Sequence, residues 1–274
     1  VHGRVLVIAG SDSGGGAGIQ ADIKSVTAMG AYAMTAITAL TAQNTEGVFG
    51  IHAVPEDFVR WQIELCLTDI GADCIKTGML ATAGVIETVV KTLDEFGKGI
   101  PLVADPVMVA KGGAPLLEPS AVDAVRRRLL PRAALITPNL PEAEALSGRK
   151  IASAADMQAA GEALLALGPK AVLMKGGHLS GPRLHDVLVV PGQTRVFEST
   201  RIETRHTHGT GCTLASAIAA GIAQGLPLAD AVARARLYVL AAIRNAPGYG
   251  KGHGPLDHAV TVDPTLIEEG FKEA

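Results

Sequence analysis

The chain is poor in cysteine, in aromatic residues and in surplus charge, and each shortage removes a class of protein. Only three cysteines occur among 274 residues, Cys66, Cys74 and Cys212, with no CxxC pair. An odd count without paired spacing supports neither a disulfide framework nor a cysteine-held zinc. The eight histidines show no HExxH spacing, so that zinc pattern is missing too. Net charge is −3, which leaves no basic footprint for nucleic acid. Apolar runs are broken by Gly, Asp, Lys or Pro before they reach spanning length, so no transmembrane helix is expected. The opening VHGRVLVI enters a strand pattern without the apolar core of a signal peptide, which leads to the expectation of a cytoplasmic protein. Aromatic residues make up 3% of the chain, too few to expect an aromatic cage around a ligand. Two nucleotide motifs are also missing. The loop Gly10–Gly18 has neither G-x-x-x-x-G-K-[ST] nor G-x-G-x-x-G spacing.

What is present is an ample apolar core, 48% hydrophobic residues against 19% charged. Short apolar runs bounded by Gly, Pro or Asp alternate with helical patterns. Strands are predicted at 5–9, 33–42, 74–76, 102–104, 135–137 and 171–174, with a meander at 185–191 and 194–202. Helices are predicted at 19–29, 55–67, 85–96, 121–130, 155–167, 213–224 and 228–245. This alternation predicts an α/β fold, a mostly parallel central sheet with helices on both faces, in one domain over 1–274. Ligands of such sheets bind at the carboxyl ends of strands. Candidate motifs follow the strands that end at Ala9, Lys76, Ala104, Thr137 and Met174.

The run His206-Thr207-His208-Gly209-Thr210-Gly211-Cys212 leads into the Ala-rich helix pattern. A glycine-rich turn that opens a helix leaves backbone N–H groups unpaired at the positive end of the helix dipole, a site for an anion. Phosphoryl transfer is the first chemistry this suggests and thiol chemistry the second. At a helix N-terminus, the Cys212 thiol is expected to have a lowered pKa. Cys66 and Cys74 read as buried small hydrophobes, and His206 and His208 as loop residues flanking the turn.

The other candidates each carry two readings. Gly10 and its loop let a small substrate approach the backbone or merely turn the chain. Asp22 is a solvated carboxylate or an acceptor for a polar ligand. Gln43 and Asn44 end a strand, and either amide could read a ring with an amino group and a ring nitrogen, or serve as a turn amide. Asp105, Asn139 and Glu142 are hard oxygen ligands suited to Mg²⁺. The Asn139-to-Glu142 spacing equally fits a helix cap. Lys175, before Gly176-Gly177, reaches a phosphate or lies in solvent, and Lys111-Gly112-Gly113 resembles a mobile flap with the same ambiguity.

Taken together, the blocks IAGSD…GIQAD, ALTAQNT, DPVMVAK, LITPNLPEA, KGGH and THGTGC resemble the hydroxymethylpyrimidine/phosphomethylpyrimidine kinases of thiamine biosynthesis, within the ribokinase-like superfamily. The resemblance runs from about Val5 to His258. It implies two ATP-dependent phosphorylations, of 4-amino-5-hydroxymethyl-2-methylpyrimidine to its monophosphate and then its diphosphate. It also implies that Gln43 reads the aminopyrimidine edge, with Gly10, Asp22, Met79 and Val107 around the ring. Gly209, Thr210, Gly211 and Cys212 would form the anion hole, and Lys175 would contact nucleotide phosphate. Asp105, Asn139 and Glu142 would organise Mg²⁺ and its waters. Much of the superfamily has Asp where this chain has Cys212, and the more usual Gly-Asp of the flap is Gly113-Ala114 here. A homodimer acting on small molecules, away from nucleic acid and membrane, is expected. The rival readings are a pyridoxal kinase of the same superfamily, a cysteine-nucleophile hydrolase or acyltransferase using Cys212, and a sensor that binds the pyrimidine without turnover.

Overall fold

A computed structural model describes residues 2–110, 112–263 and 265 of the chain. Its centre is one nine-stranded sheet in the order β3-β2-β1-β4-β5-β6-β7-β8-β9. The strands are β1 (Arg4–Asp12), β2 (Tyr32–Gln43), β3 (Val48–Ala53), β4 (Cys74–Thr77), β5 (Leu102–Ala104), β6 (Leu135–Ile136), β7 (Val172–Met174), β8 (Arg183–Val190) and β9 (Gln193–Thr200). From β2 across to β7 every pairing is parallel, while β3, β8 and β9 are antiparallel additions at the two edges. The parallel strands read as apolar runs because both faces are covered. Leu6 and Ile8 of β1 join one core layer, with α2 (Glu56–Asp69) and α3 (Ala83–Phe96). Val5, Val7 and Ala9 join the other, with α1 (Gly18–Ala28).

The remaining helices are α4 (Val122–Ala124), α5 (Leu130–Arg132), α6 (Leu140–Ser147), α7 (Ala154–Leu165), α8 (Thr210–Ala223) and α9 (Leu228–Arg244). The ribokinase-like expectation of a mostly parallel sheet between helices therefore holds, with two differences. The single helix expected at 121–130 is instead a 3₁₀ turn at Pro119–Ala121, the short α4, a π-helical stretch at Val125–Leu129 and the short α5. Pro131 supplies the reason: it has no N–H to give and its ring crowds the carbonyl one turn back, so the helix widens before it. Strand β3 was not expected. Its burial pattern is almost wholly exposed, so it lacks the alternation that marks a half-buried strand.

Strand β1 lies between β2 and β4, so chain connections leave it in opposite directions. Such a reversal opens a crevice at the carboxyl ends of the strands. Gly10, Gln43, Met79, Asp105, Asn139 and Lys175 all stand at or just beyond these ends.

Candidate active site

The turn expected to take an anion is built on the start of α8. Gly209 caps this helix at φ 80°, with no side chain capping the end. A side chain there would run into the Gly16 carbonyl, so the position needs both the left-handed conformation and the missing Cβ. Thr210 Oγ1 donates to the Thr207 carbonyl at 2.7 Å and fixes the turn. The N–H groups of Gly211 and Cys212 have no intrahelical acceptor. A Cβ on Gly211 would lie 3.1 Å from Lys175 Nζ and 3.6 Å from Asp105 Oδ2. The anion turn, the lysine and the carboxylate therefore converge on one point.

Lys175 Nζ donates to Asp105 Oδ1 at 2.9 Å, and Thr137 Oγ1 donates to the same oxygen at 3.0 Å. Burial works against the Lys175 charge, but Asp105 and Glu142 hold its pKa above the usual lysine value. The Asn139 and Glu142 pair forms a reciprocal cap on α6. Glu142 N–H donates to Asn139 Oδ1 at 2.9 Å, and Asn139 N–H donates to Glu142 Oε2 at 2.8 Å. Glu142 is buried, which pushes its pKa up to about 7; Lys175 pulls it down, while Asp105 raises it further.

Cys212 differs from its expectation. Its thiol is pushed up to about 11, not lowered, because burial and the nearby Asp22 and Asp105 carboxylates outweigh Lys76 and the Gly18 backbone hydrogen bond. Cys74 is fully buried, as expected, and Cys66 is partly so.

The residues expected around a ring lie at the ends of β1, β2, β4 and β5. A Cβ on Gly10 would stand 3.0 Å from Met79 Sδ, so glycine is what lets Met79 lie against this strand. Thr38 Oγ1 holds the Met79 carbonyl at 2.7 Å. Val107 follows Asp105, and its N–H returns to the Asp105 carbonyl at 2.8 Å. Gln43 and Asn44 part company. Asn44 Oδ1 accepts from Glu46 and Gly47 N–H in a turn, while Gln43 reaches within 3.4 Å of His208. Asp22 is not solvated. It is fully buried, and Lys76 Nζ donates to its two oxygens at 2.8 and 2.9 Å, with Ser216 Oγ donating at 2.7 Å. Lys111 lies outside the described residues.

Sequence reasoning missed four side chains. His208 lies in the loop before α8, as expected, but it is buried there, and its Nε2 lies 2.8 Å from Asp12 Oδ2. Asp12 also accepts from the N–H groups of Gly14, Gly16 and Ala17. Lys76 is the third of the four buried residues of β4, and a lysine inside so short a strand was the available signal. His258 lies 2.9 Å from Thr213 Oγ1 in the first turn of α8, and nothing in its sequence neighbourhood announces that contact.

A parallel sheet whose switch-point crevice offers a lysine-flanked helix start to an anion defines a ribokinase-like small-molecule kinase. The family described as phosphomethylpyrimidine kinase matches residues 12–257. The chain belongs to that family and is a kinase, a phosphotransferase. It is 51% identical over 262 residues to the thiamine biosynthesis bifunctional protein ThiED of Geobacter sulfurreducens, covering 96% of this chain but only 53% of that one. It therefore spans about half the length of that relative. It is 47% identical to the hydroxymethylpyrimidine/phosphomethylpyrimidine kinase of Streptomyces coelicolor, covering 93% of each. The solved ADP complex of Bacillus subtilis pyridoxal kinase is similar with a TM-score of 0.87 and 36% identity, over 95% of this chain and 98% of that one. Among the described residues no helix is long and apolar enough to cross a membrane.

Proposed function

We propose that this kinase phosphorylates the hydroxymethyl group of 4-amino-5-hydroxymethyl-2-methylpyrimidine with ATP, first to the monophosphate and then to the diphosphate. The observation that carries this reading is the convergence of the Gly211 turn, Lys175 and Asp105 on one point. In this reading the ring lies against Gly10, Met79 and Val107, and Gln43 meets its amino edge. The hydroxymethyl oxygen then faces the start of α8. Backbone N–H groups of residues 210–212 stabilise the charge that gathers on the transferred phosphoryl group. Lys175 neutralises phosphate oxygens as a point charge. Asp22 lies beneath the ring and acts through Lys76 and Ser216. With a thiol held at about 11, Cys212 supplies its backbone N–H and shape, not a ready base.

The acids fit Mg²⁺. Asp105 and Glu142 are neighbouring carboxylates in a buried setting, and a hard dication relieves their mutual repulsion. Among the described residues no three His, Cys, Asp or Glu side chains gather into a full cage, so phosphates and water would complete the shell. Asn139 is committed to its cap and orients Glu142. The ion would supply charge neutralisation at the phosphates. A homodimer belongs to the same reading and is tested by sedimentation velocity.

Pyridoxal phosphorylation is the second reading, favoured by the similarity to a solved pyridoxal kinase. ³¹P NMR with Mg·ATP separates the two, with the pyrimidine and pyridoxal in parallel tubes. Sequential mono- and diphosphate signals are expected from the pyrimidine. Product from pyridoxal alone would overturn the assignment.

A further inference from the structure

Asp12 ends β1 and folds the loop that follows it around its own carboxylate. Oδ1 accepts the Gly14 N–H at 2.8 Å, and Oδ2 accepts those of Gly16 and Ala17 at 3.1 and 2.8 Å. The backbone of Asp12 is held as well: its N–H donates to Gln20 Oε1 at 2.9 Å, and its carbonyl accepts from Gly15 at 2.9 Å. Burial works against the carboxylate charge, but His208 and the Gly14 and Ala17 N–H groups hold the carboxyl below its usual range. As an acceptor, Oδ2 takes the Nε2 proton of His208 at 2.8 Å. His208 stands immediately before Gly209, and the Asp12 loop receives both residues. A Cβ on Gly16 would stand 2.5 Å from His208 Cδ2, and one on Gly209 would run into the Gly16 carbonyl. The His208 N–H donates to the Gly254 carbonyl at 3.1 Å. The residue that leads into the α8 turn is thus fixed at its ring and at its backbone, against a loop whose shape Asp12 sets.

We propose that Asp12 and His208 are positioning residues for phosphoryl transfer: their hydrogen bond seats the Gly209–Cys212 turn on the end of β1 and so aims the N–H groups of Gly211 and Cys212. This rests on the reading that the turn takes the transferred phosphoryl group. In this account neither side chain touches that group, and both act through the backbone of the turn. Donors stabilise developing charge best when they are held in place before the reaction. A misplacement of about 1 Å costs about 100-fold in rate. The pair supplies that hold from a strand 196 positions away in the chain.

The test is steady-state kinetics with the pyrimidine and Mg·ATP, with kcat expressed per ATP-binding site counted by calorimetry. His208→Leu keeps an apolar bulk and removes the donor. His208→Gln returns a donor near the place of Nε2. Gly16→Ala keeps every donor and acceptor and crowds the His208 ring. His208→Leu and Gly16→Ala should each lower kcat about 100-fold. The KM for the pyrimidine should stay within about threefold of wild type, and His208→Gln should recover about tenfold of the loss. The Thr213 N–H donates to the Gly209 carbonyl at 2.9 Å and reports the order of the turn without any substrate. Its hydrogen exchange, followed by NMR in the ligand-free protein, should be about tenfold faster in His208→Leu and Gly16→Ala than in wild type, and close to wild type in His208→Gln. An unchanged kcat in His208→Leu and Gly16→Ala, a loss that falls on the KM of the pyrimidine alone, no recovery in His208→Gln, or unchanged Thr213 exchange overturns the proposal. If the wild-type protein phosphorylates neither the pyrimidine nor pyridoxal, it is the assigned function that fails, and the Thr213 exchange still decides whether the pair orders the turn.

Discussion

Cys212 shows how a local rule loses to its surroundings. A helix start favours a thiolate, yet burial beside Asp22 and Asp105 pushes this thiol up to about 11. At pH 7.5 iodoacetamide should therefore modify Cys212 only slowly, with the rate climbing well above pH 9; fast modification at neutral pH would mean the thiolate is present after all. Backbone donors should carry most of the charge stabilisation. Cys212→Ser is expected to stay within about tenfold of wild-type kcat, a loss of roughly one hydrogen bond's worth of stabilisation. Complete loss with unchanged substrate binding would make the thiol essential. Gln43→Leu should weaken pyrimidine binding at least tenfold by calorimetry, the order expected for an unpaired polar group, while ATP binding stays the same. Equal losses would remove Gln43 from the ring.

At the scale of elements, α8 and its glycine start were legible because a Gly-rich turn before an Ala-rich run has one obvious fold. Gly209→Ala should test it directly. The φ of 80° and the Gly16 carbonyl behind it leave no room, so a loss of about 1–3 kcal/mol in denaturant unfolding is expected, with a larger fall in kcat. The parallel strands were legible as short apolar runs, and the ends of those strands gave most of the candidate site. What stayed hidden are long-range partners. Asp12 and His208 are 196 positions apart, and Asp22 and Ser216 are 194 apart, so no local spacing encodes either contact. The irregular stretch before Pro131 stayed hidden for another reason: apolar periodicity continues through it while the hydrogen-bond ladder does not. The ion pair of Lys76 with Asp22 joins β4 to α1 with both side chains fully buried. Lys76→Met alone should cost about 3–5 kcal/mol, because it strands a buried carboxylate, whereas Lys76→Met with Asp22→Leu should recover much of that. Chemical denaturation of the two variants decides; equal losses would mean that packing, not charge, holds the junction.

Across the whole molecule, His258 links the C-terminal segment to the site helix. It contacts Thr213 Oγ1 through Nε2, and its carbonyl accepts from Tyr238 Oη at 2.8 Å, tying α8 and α9 together. Burial, with Lys24 nearby, lowers its pKa from 6.5 to about 4. The unfolded chain binds this proton at a higher pH than the folded one, so stability rises with pH between about 4 and 6.5 and is complete above that window. Melting temperature should fall on acidification through this range, by an amount equivalent to at most about 3 kcal/mol from this group. His258→Gln should flatten the slope, and an undiminished slope in that variant would place the titrating group elsewhere.

The chain order of the crevice has a consequence for its synthesis. The strand ends that would hold the ring are complete by Val107, whereas the turn that would accept phosphate begins at Gly209, which packs against the Gly16 backbone some two hundred positions earlier. In the proposed reading, a chain truncated before Gly209 keeps every residue placed around the ring and lacks the turn placed around the phosphate. In that reading the residues placed around the ring are made before the turn placed around the phosphate, which is completed only when Gly209 packs against Gly16.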